Sequence, residues 1–327
     1  MNLLSRAYAA WALKTPPFPR RLQIETTNRC NAACLMCPIQ AMSRPKGEMD
    51  FSLLDQIAQE LAGQPPLRRV ILHVMGEPLL NPDFIPMLHH LKKIAPHQPL
   101  EFSTNGSVLN QGAAQGIIEA GVEAINFSLD AASAETYAKI RRGLNFDKVQ
   151  ANLAHFIEAV AASGQNKPHV IVQLIKMDVN QAEWGSFAEE WRAKARERPF
   201  VKLYIKEQWS WGGYLDSGQA AKERAEGFLA LPCGYPFDQL DVYWDGRVGF
   251  CCLDEDAELE VGDLKGESLA QVWRSPRLED YRRRFKRLDF NGLRCADCGE
   301  RLRYRSWSEV GQRPRRFLRR LIGRPTD

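Results

Sequence analysis

Long hydrophobic runs are missing from this 327-residue chain: none approaches the roughly 20 apolar residues that cross a bilayer, so no membrane span is expected. No secretory leader is expected either. The alanine-rich stretch from Ala7 to Leu13 contains Trp11 and runs into Lys14 and two prolines. It is too short and too poorly flanked for a signal peptide, and a cytoplasmic location is expected. Internal repeats and low-complexity segments are absent. Net positive charge is absent from the body. The overall +4 arises because residues 301–327 carry +7 and residues 1–21 carry +4, which leaves −7 on residues 22–300. That balance argues against a nucleic-acid groove across the main domains. Histidine is scarce, six in all, and none lies between Cys37 and His73.

Cysteine is what is there. Eight residues gather at 30/34/37, 233, 251/252 and 295/298. In a mid-sized chain without a leader, such clustering points to metal in a reducing compartment and not to a disulfide framework. Cys30, Cys34 and Cys37 form CxxxCxxC directly after the strand-like run Leu22 to Thr26. Three thiolates hold three corners of a four-iron cluster and leave the fourth iron open to a small molecule. A structural zinc site is normally closed by a fourth ligand, which this segment lacks.

Strands and helices alternate from residue 22 to about 205. Strands are expected at Leu22–Glu25, Arg69–Val74, Leu100–Ser103, Ala124–Ser128, His169–Ile175 and Val201–Lys206. Helices are expected at Phe51–Leu61 with Asp50 as N-cap, Phe84–Ile94, Gln111–Ala120, Phe146–Ala162 and Gln181–Glu197. This alternation implies an α/β fold with a parallel sheet. After Trp209 the rhythm stops in a polar linker holding Gly212, Gly213 and Gly218. Beyond it, Gln239–Tyr243 and Val248–Cys251 flank Asp245-Gly246, a hairpin signal. Helices follow at about Ser268–Trp273 and Leu278–Arg287.

Four segments close the later strands: His73-Val74-Met75-Gly76-Glu77-Pro78-Leu79-Leu80, Ser103-Thr104-Asn105-Gly106, Ser128-Leu129-Asp130 followed by Tyr137 to Gly143, and Val170 to Met177. Together with ETTNRCNAACLMCP at 25–38, they resemble the radical S-adenosylmethionine (SAM) superfamily. The resemblance implies a partial (β/α)6 TIM-like barrel. It implies a cluster on Cys30, Cys34 and Cys37 whose open iron binds the amino and carboxylate groups of SAM. It also implies cleavage of SAM to methionine and a 5′-deoxyadenosyl radical that abstracts hydrogen from substrate. By the same resemblance, the backbone at Gly76 and Glu77 receives the SAM amino group, and glycine permits that close approach. Ser103 and Asn105 face the ribose. Ser128 and Arg141 grip the carboxylate, for which a planar guanidinium is suited; Arg142 is the alternative. Gln173 and Met177 lie against adenine. Met36, before the third cysteine where relatives often carry an aromatic, is counted with the SAM contacts. Met75 replaces the first glycine of the family's GGEPLL.

Cys233, Cys251-Cys252, Cys295 and Cys298, with V-Y-W-D-G-R-V-G-F-C-C-L-D around the central pair, resemble the SPASM extension in its one-cluster (twitch) form. That form closes one auxiliary 4Fe–4S cluster with four cysteines. On the residues alone a four-cysteine zinc site reads equally well; the barrel half favours iron–sulfur. The ligands implied are Cys233, Cys251, Cys295 and Cys298. Cys251 is preferred over Cys252 because it gives the interval of 18 found in one-cluster relatives and follows the hairpin. Neighbours in a strand also face opposite ways. Cys252 is then spare, or a substitute.

The expected organisation is a basic amphipathic extension at 1–21, the radical SAM partial barrel at 22–209, a linker at 210–232, a small α+β SPASM/twitch domain at 233–300 and an Arg-rich tail at 301–327. Leu4, Tyr8 and Trp11 at one end, and Phe317, Leu318, Leu321 and Ile322 among arginines at the other, suit peripheral contact with an anionic membrane surface. Docking of these helices on the protein itself is the plainer alternative. Glu207, at the end of the sixth strand, is the candidate to take a proton from substrate, with a surface salt bridge as its ordinary role. Trp209, Trp211 and Tyr214 line a pocket or pack between domains. The function expected is that of a radical SAM oxidoreductase supplied with electrons by a flavodoxin or ferredoxin. Because single-cluster relatives include dehydrogenases of an aminocyclitol hydroxyl, a sugar-like or cyclitol alcohol is the first substrate. A peptide or protein maturase, and a non-catalytic zinc-binding protein, are the alternatives.

Overall fold

A computed structural model describes residues 13–208, 211, 215, 229–296, 298, 300 and 302–305. The basic ends, Trp209, Tyr214 and most of the expected linker lie outside the described residues.

Six strands form a parallel run in chain order: β1 (Arg21–Ile24), β2 (Arg69–Ile71), β3 (Leu100–Thr104), β4 (Ala124–Ser128), β5 (His169–Lys176) and β6 (Val201–Glu207). Between them run α1 (Phe51–Ala62), α2 (Phe84–Ile94), α3 (Gln111–Glu119), α4 (Ala134–Ile140), α5 (Phe146–Ala162) and α6 (Trp184–Glu197). The arrangement is the expected partial barrel. Helix starts are fixed locally: Asp50, Asn110, Ser133 and Asn145 each accept a backbone N–H of the first turn, satisfying donors that no helix can pair internally. Burial follows helical spacing, as with Leu54, Ile57, Ala58 and Leu61 of α1.

The strands divide their side chains by parity. Leu22, Ile24, Val70, Leu100, Phe102, Ile125, Phe127, Val170, Val172 and Leu174 are buried in the main apolar core. Arg21, Gln23, Ile71, Ser103, Asn126, Gln173, Tyr204 and Lys206 line a cavity on the other face. Parallel sheets are normally covered by apolar residues on both faces; here one face is given over to polar groups.

Most expected elements are present with small shifts at their ends. β2 stops at Ile71, three residues before the expected Val74. The helix expected from Gln181 begins at Trp184, after a 3-10 turn over Asp178–Glu183. Helix α4 was not expected at all.

The C-terminal part does not stand apart from the barrel. β7 (Leu229–Pro232) pairs antiparallel with β11 (Leu302–Arg305) in a small separate sheet. β8 (Gln239–Val242), however, pairs in parallel with β1, and β9 (Arg247–Gly249) and β10 (Gly262–Asp263) extend the same sheet antiparallel, giving the order β10-β9-β8-β1-β2-β3-β4-β5-β6. The Asp245-Gly246 turn joins β8 to β9, with Gly246 at φ +94°. Helices α7 (Leu269–Trp273) and α8 (Pro276–Arg287) cover this end. A buried ion pair reinforces the junction: Arg44 donates to both oxygens of Glu25, one at 2.6 Å, and its Nε donates to the Glu255 carbonyl at 2.5 Å. Among the described residues, no helix is long and apolar enough to cross a membrane.

Candidate active site

The cysteine loop follows β1 and is fastened by backbone hydrogen bonds on two sides. Ala33 N–H donates to Arg142 O (2.9 Å) and Leu35 N–H to Ile140 O (2.8 Å), which docks the loop on the end of α4. Glu77 N–H donates to Arg29 O at 2.8 Å. Gly76, at φ +83°, lies so close that a Cβ would stand 2.5 Å from Thr27 O and 2.8 Å from Arg29 O. Only glycine meets both conditions. Asn31 adds two side-chain bonds, accepting from Asn105 Nδ2 at 3.0 Å and donating to Ser107 Oγ at 2.8 Å.

Cys30, Cys34 and Cys37 are half-buried and line a cavity of about 290 Å³ at the C-terminal ends of the strands, the face where α/β barrels carry their chemistry. Met36, Gly76, Glu77, Ser103, Asn105, Ser128, Arg141 and Gln173 line the same cavity. Met177 does not; it is buried beside Met36, Ile140 and Ile175. Arg141 is buried whereas Arg142 is exposed. The Arg141 guanidinium is ion-paired with the fully buried Asp130 and donates from Nη1 to Cys34 Sγ at 3.3 Å. Its Nε is buried with no partner among the described residues. Glu77 is held by Thr104 Oγ1 (2.7 Å), Asn105 N–H (2.6 Å) and Leu79 N–H (3.2 Å), yet burial still raises its pKa.

Besides Met177, the structure corrects a second expected site residue. Glu207 is absent from the cavity lining; its side chain is 57% exposed and pairs with Lys176 at 3.1 Å. Side chains alternate along a strand, so the inward residues of β6 are Tyr204 and Lys206. Arg21, Gln23, Arg69 and His73 also line the cavity and were not foreseen. For Arg21 and Gln23 the signal is their alternation with Leu22 and Ile24 along β1; no such alternation marks Arg69 and His73. Trp211 lines the cavity, in accord with one of its two expected roles.

Burial raises the thiols: Cys30 to about 11 and Cys37 to about 12. A neutral thiol is favoured in a cavity without metal, and a bound metal ion reverses that by stabilising thiolate. His73 is pushed down to about 4, first by burial and then by the charges of Arg69 and Lys206.

The second cysteine group lies elsewhere. Cys233 and Cys295 are buried, Cys251 and Cys298 half-buried, and none of the four lines the cavity. Burial raises the Cys251, Cys295 and Cys298 thiols, and Cys233 is near enough to add to all three shifts. Cys252 lines the cavity, and its electrostatic neighbours are Asp241 and Arg21. The strand expected to run to Cys251 ends at Gly249, so Cys251 and Cys252 sit in the following turn, and strand alternation does not explain their divergence.

The sequence matches the model of the Radical SAM superfamily over residues 24–166 and that of the SPASM iron-sulfur cluster-binding domain over 233–299. The protein is a radical SAM enzyme with a C-terminal SPASM domain. The two family matches imply 4Fe–4S clusters and SAM as the cofactors. It is similar to the tungsten-containing aldehyde ferredoxin oxidoreductase cofactor-modifying protein of Pyrococcus furiosus, 31% identical over 51% of this chain and 46% of that protein. It is also similar to an AdoMet-dependent heme synthase of Oleidesulfovibrio alaskensis, 24% identical over 86% of this chain and 80% of that protein. The chain spans about half the length of several curated relatives it matches. Among solved structures, BtrN in complex with AdoMet and 2-DOIA aligns with TM-score 0.60 and 17% identity over 86% of this chain and 92% of that one. Streptococcus suis SuiB bound to precursor peptide SuiA aligns with TM-score 0.64 and 12% identity over 90% and 72%. At such identities the likeness is one of fold.

The donor sets fit the clusters chemically: three soft thiols at an accessible cavity and four gathered away from it. Among the described residues, no three His, Cys, Asp or Glu side chains close round a single ion. A cubane bonds its thiolates to separate irons and spreads them more widely.

Proposed function

We propose that this radical SAM enzyme oxidises a small polar molecule, with a sugar-like or cyclitol alcohol as its substrate class. In this reading Cys30, Cys34 and Cys37 hold the SAM-binding cluster, and Cys233, Cys251, Cys295 and Cys298 the auxiliary one. When bound, the clusters supply the electron that cleaves SAM and a sink for the electron left on substrate. The chain's own residues bind and orient. Arg141, fixed by Asp130, presents its fork to the SAM carboxylate beside Ser128. The Gly76–Glu77 backbone approaches the amino group, Ser103 and Asn105 face the ribose, and Gln173 borders adenine. Met36 packs at the cluster, and Met177 supports it from behind. The observation that carries the reading is the convergence of three thiols, Arg141 and the Gly76–Glu77 turn on one cavity of about 290 Å³, a size near the lower end for small-ligand sites. The structural likeness to BtrN, crystallised with 2-DOIA, supports a small-molecule substrate. The likeness to SuiB bound to a precursor peptide supports a second reading, modification of a peptide.

The test is anaerobic reconstitution with a flavodoxin or ferredoxin as reductant, followed by incubation with panels of cyclitols, sugars and peptides. Substrate-dependent 5′-deoxyadenosine with a product lacking two hydrogens is the expected result for an alcohol. A stimulated response to peptides alone would replace the first reading by the second.

A further inference from the structure

A line of hydrogen-bonded polar side chains crosses the cavity. Ser103 N–H donates to His73 Nδ1 at 3.1 Å. Asn126 Nδ2 donates to Ser103 Oγ and to Gln173 Oε1, each at 3.1 Å. All four side chains line the cavity. The line lies deeper than the groups read as SAM contacts on the same strands. Asn126 precedes Ser128 by two residues, and Ser103 precedes Asn105 by two, roughly 7 Å of strand in each case. His73 precedes Gly76 in the same sense. The SAM contacts proposed above use neither His73 nor Asn126.

His73 has a fixed polarity. A backbone N–H can only donate, so Nδ1 must be bare, and a neutral ring then carries its hydrogen on Nε2. Protonation would turn an Nδ1–H against Ser103 N–H, in accord with a pKa pushed down to about 4, first by burial. Nε2 has no hydrogen-bond partner among the described residues and is not sealed inside the protein. The half-buried ring is therefore anchored by one nitrogen and offers the other to the cavity as a donor.

We infer that His73 donates from Nε2 to a hydroxyl or carbonyl oxygen of the substrate, on a floor continued by Ser103, Asn126 and Gln173. The inference rests on the cavity being the substrate site beside SAM, and it names the group that grips an oxygen there. An alcohol and the ketone formed from it both present an acceptor, so the contact survives the oxidation. His73 does not take the substrate's proton, because Nδ1 is occupied and Nε2 already carries its hydrogen.

Two measurements on the holoenzyme test this. Nitrogen-15 NMR of protein labelled in its histidine rings, with His73→Gln to assign the signal, should show Nδ1 bare and Nε2 protonated near neutral pH. The opposite tautomer, or a charged ring, overturns the inference. Calorimetric titration of the SAM-loaded holoenzyme uses 2-DOIA, the compound crystallised with BtrN, together with myo-inositol and glucose. At least one alcohol should bind. His73→Phe should weaken that binding about ten-fold, the worth of one hydrogen bond, whereas His73→Gln, which keeps an amide donor, should hold it within roughly three-fold. SAM affinity should be unchanged in both variants, which also reports that the fold is intact. Alcohol binding indifferent to His73→Phe overturns the inference, as does loss of SAM affinity in His73→Phe, which would give the donor to SAM. Absence of binding by every alcohol overturns it too; if peptides alone then release 5′-deoxyadenosine, the failure lies in the small-molecule reading on which it rests.

Discussion

The two cysteine groups differ in number and in setting. Cys30, Cys34 and Cys37 sit at a cavity that also holds Arg141 and Gly76, whereas Cys233, Cys251, Cys295 and Cys298 lie away from that cavity. On the proposed reading, the contrast separates a cluster that must admit a ligand from one that must not. Three thiols leave an iron to be bound from the cavity, and four leave none. The adjacent Cys251 and Cys252 show how fine the division is: Asp241 acts on both, but only Cys252 lines the cavity.

Breaking the first group has the largest expected effect. Replacing Cys30, Cys34 and Cys37 together by Ala should remove about four of about eight irons, the auxiliary cubane remaining on its own ligands. Iron analysis of anaerobically purified protein checks it, and loss of all iron would show that the two groups are not independent. Next comes the split between neighbours. Cys251→Ala should lose the auxiliary cluster and Cys252→Ala keep it, as read by Mössbauer spectroscopy; the reverse pattern would exchange their roles.

Arg141 lies between the groups in expected size. Arg141→Ala should weaken SAM binding by about 1.5–3 kcal/mol, typical of a charged hydrogen bond, with added loss of stability because Asp130 is left buried and unpaired. Exposed Arg142→Ala should leave SAM affinity alone. Titration calorimetry of the pair would reassign the role if the two results were exchanged. A pH dependence compares the loaded and metal-free protein. The folded metal-free state holds protons on Cys30 to about 11 and on Cys37 to about 12, above the ordinary thiol value of 9.0. Their stabilising contribution is thus complete below about pH 9 and lost as pH rises through the folded values. Thermal melts should decline over that window in metal-free protein but not in clustered protein, whose thiolates are already ligated. The smallest effect is expected at Glu207. Glu207→Gln should change stability by no more than about 1 kcal/mol, as for an exposed pair, and leave product formation intact; a large loss of turnover would return it to the site.

Much of this site is legible in sequence because its parts are local. CxxxCxxC, Gly76-Glu77 and the Ser128 to Arg141 spacing each lie at a strand end, and strand ends follow from the alternation of apolar runs. Gly76 is required by backbone geometry that only glycine adopts so close to Thr27 and Arg29. What escaped was set by tertiary pairing. The parallel union of β8 with β1 joins residues more than two hundred positions apart, and no local pattern announces it. Glu207 stands one step of strand parity from the inward-facing Lys206 and Tyr204, and the sequence of β6 alone does not fix which parity faces the cavity. Helix α4 is short, and its capping by Ser133 is a weak signal against the motif it precedes. The buried Glu25–Arg44 pair was invisible because its partners are brought together by the loop itself.

The most direct test of the central claim is 5′-deoxyadenosine released from SAM by dithionite-reduced, reconstituted protein, measured by mass spectrometry beside the triple cysteine variant. The account predicts 5′-deoxyadenosine from the unaltered protein and none from the variant, although the variant keeps its auxiliary iron. Equal release from both would contradict it.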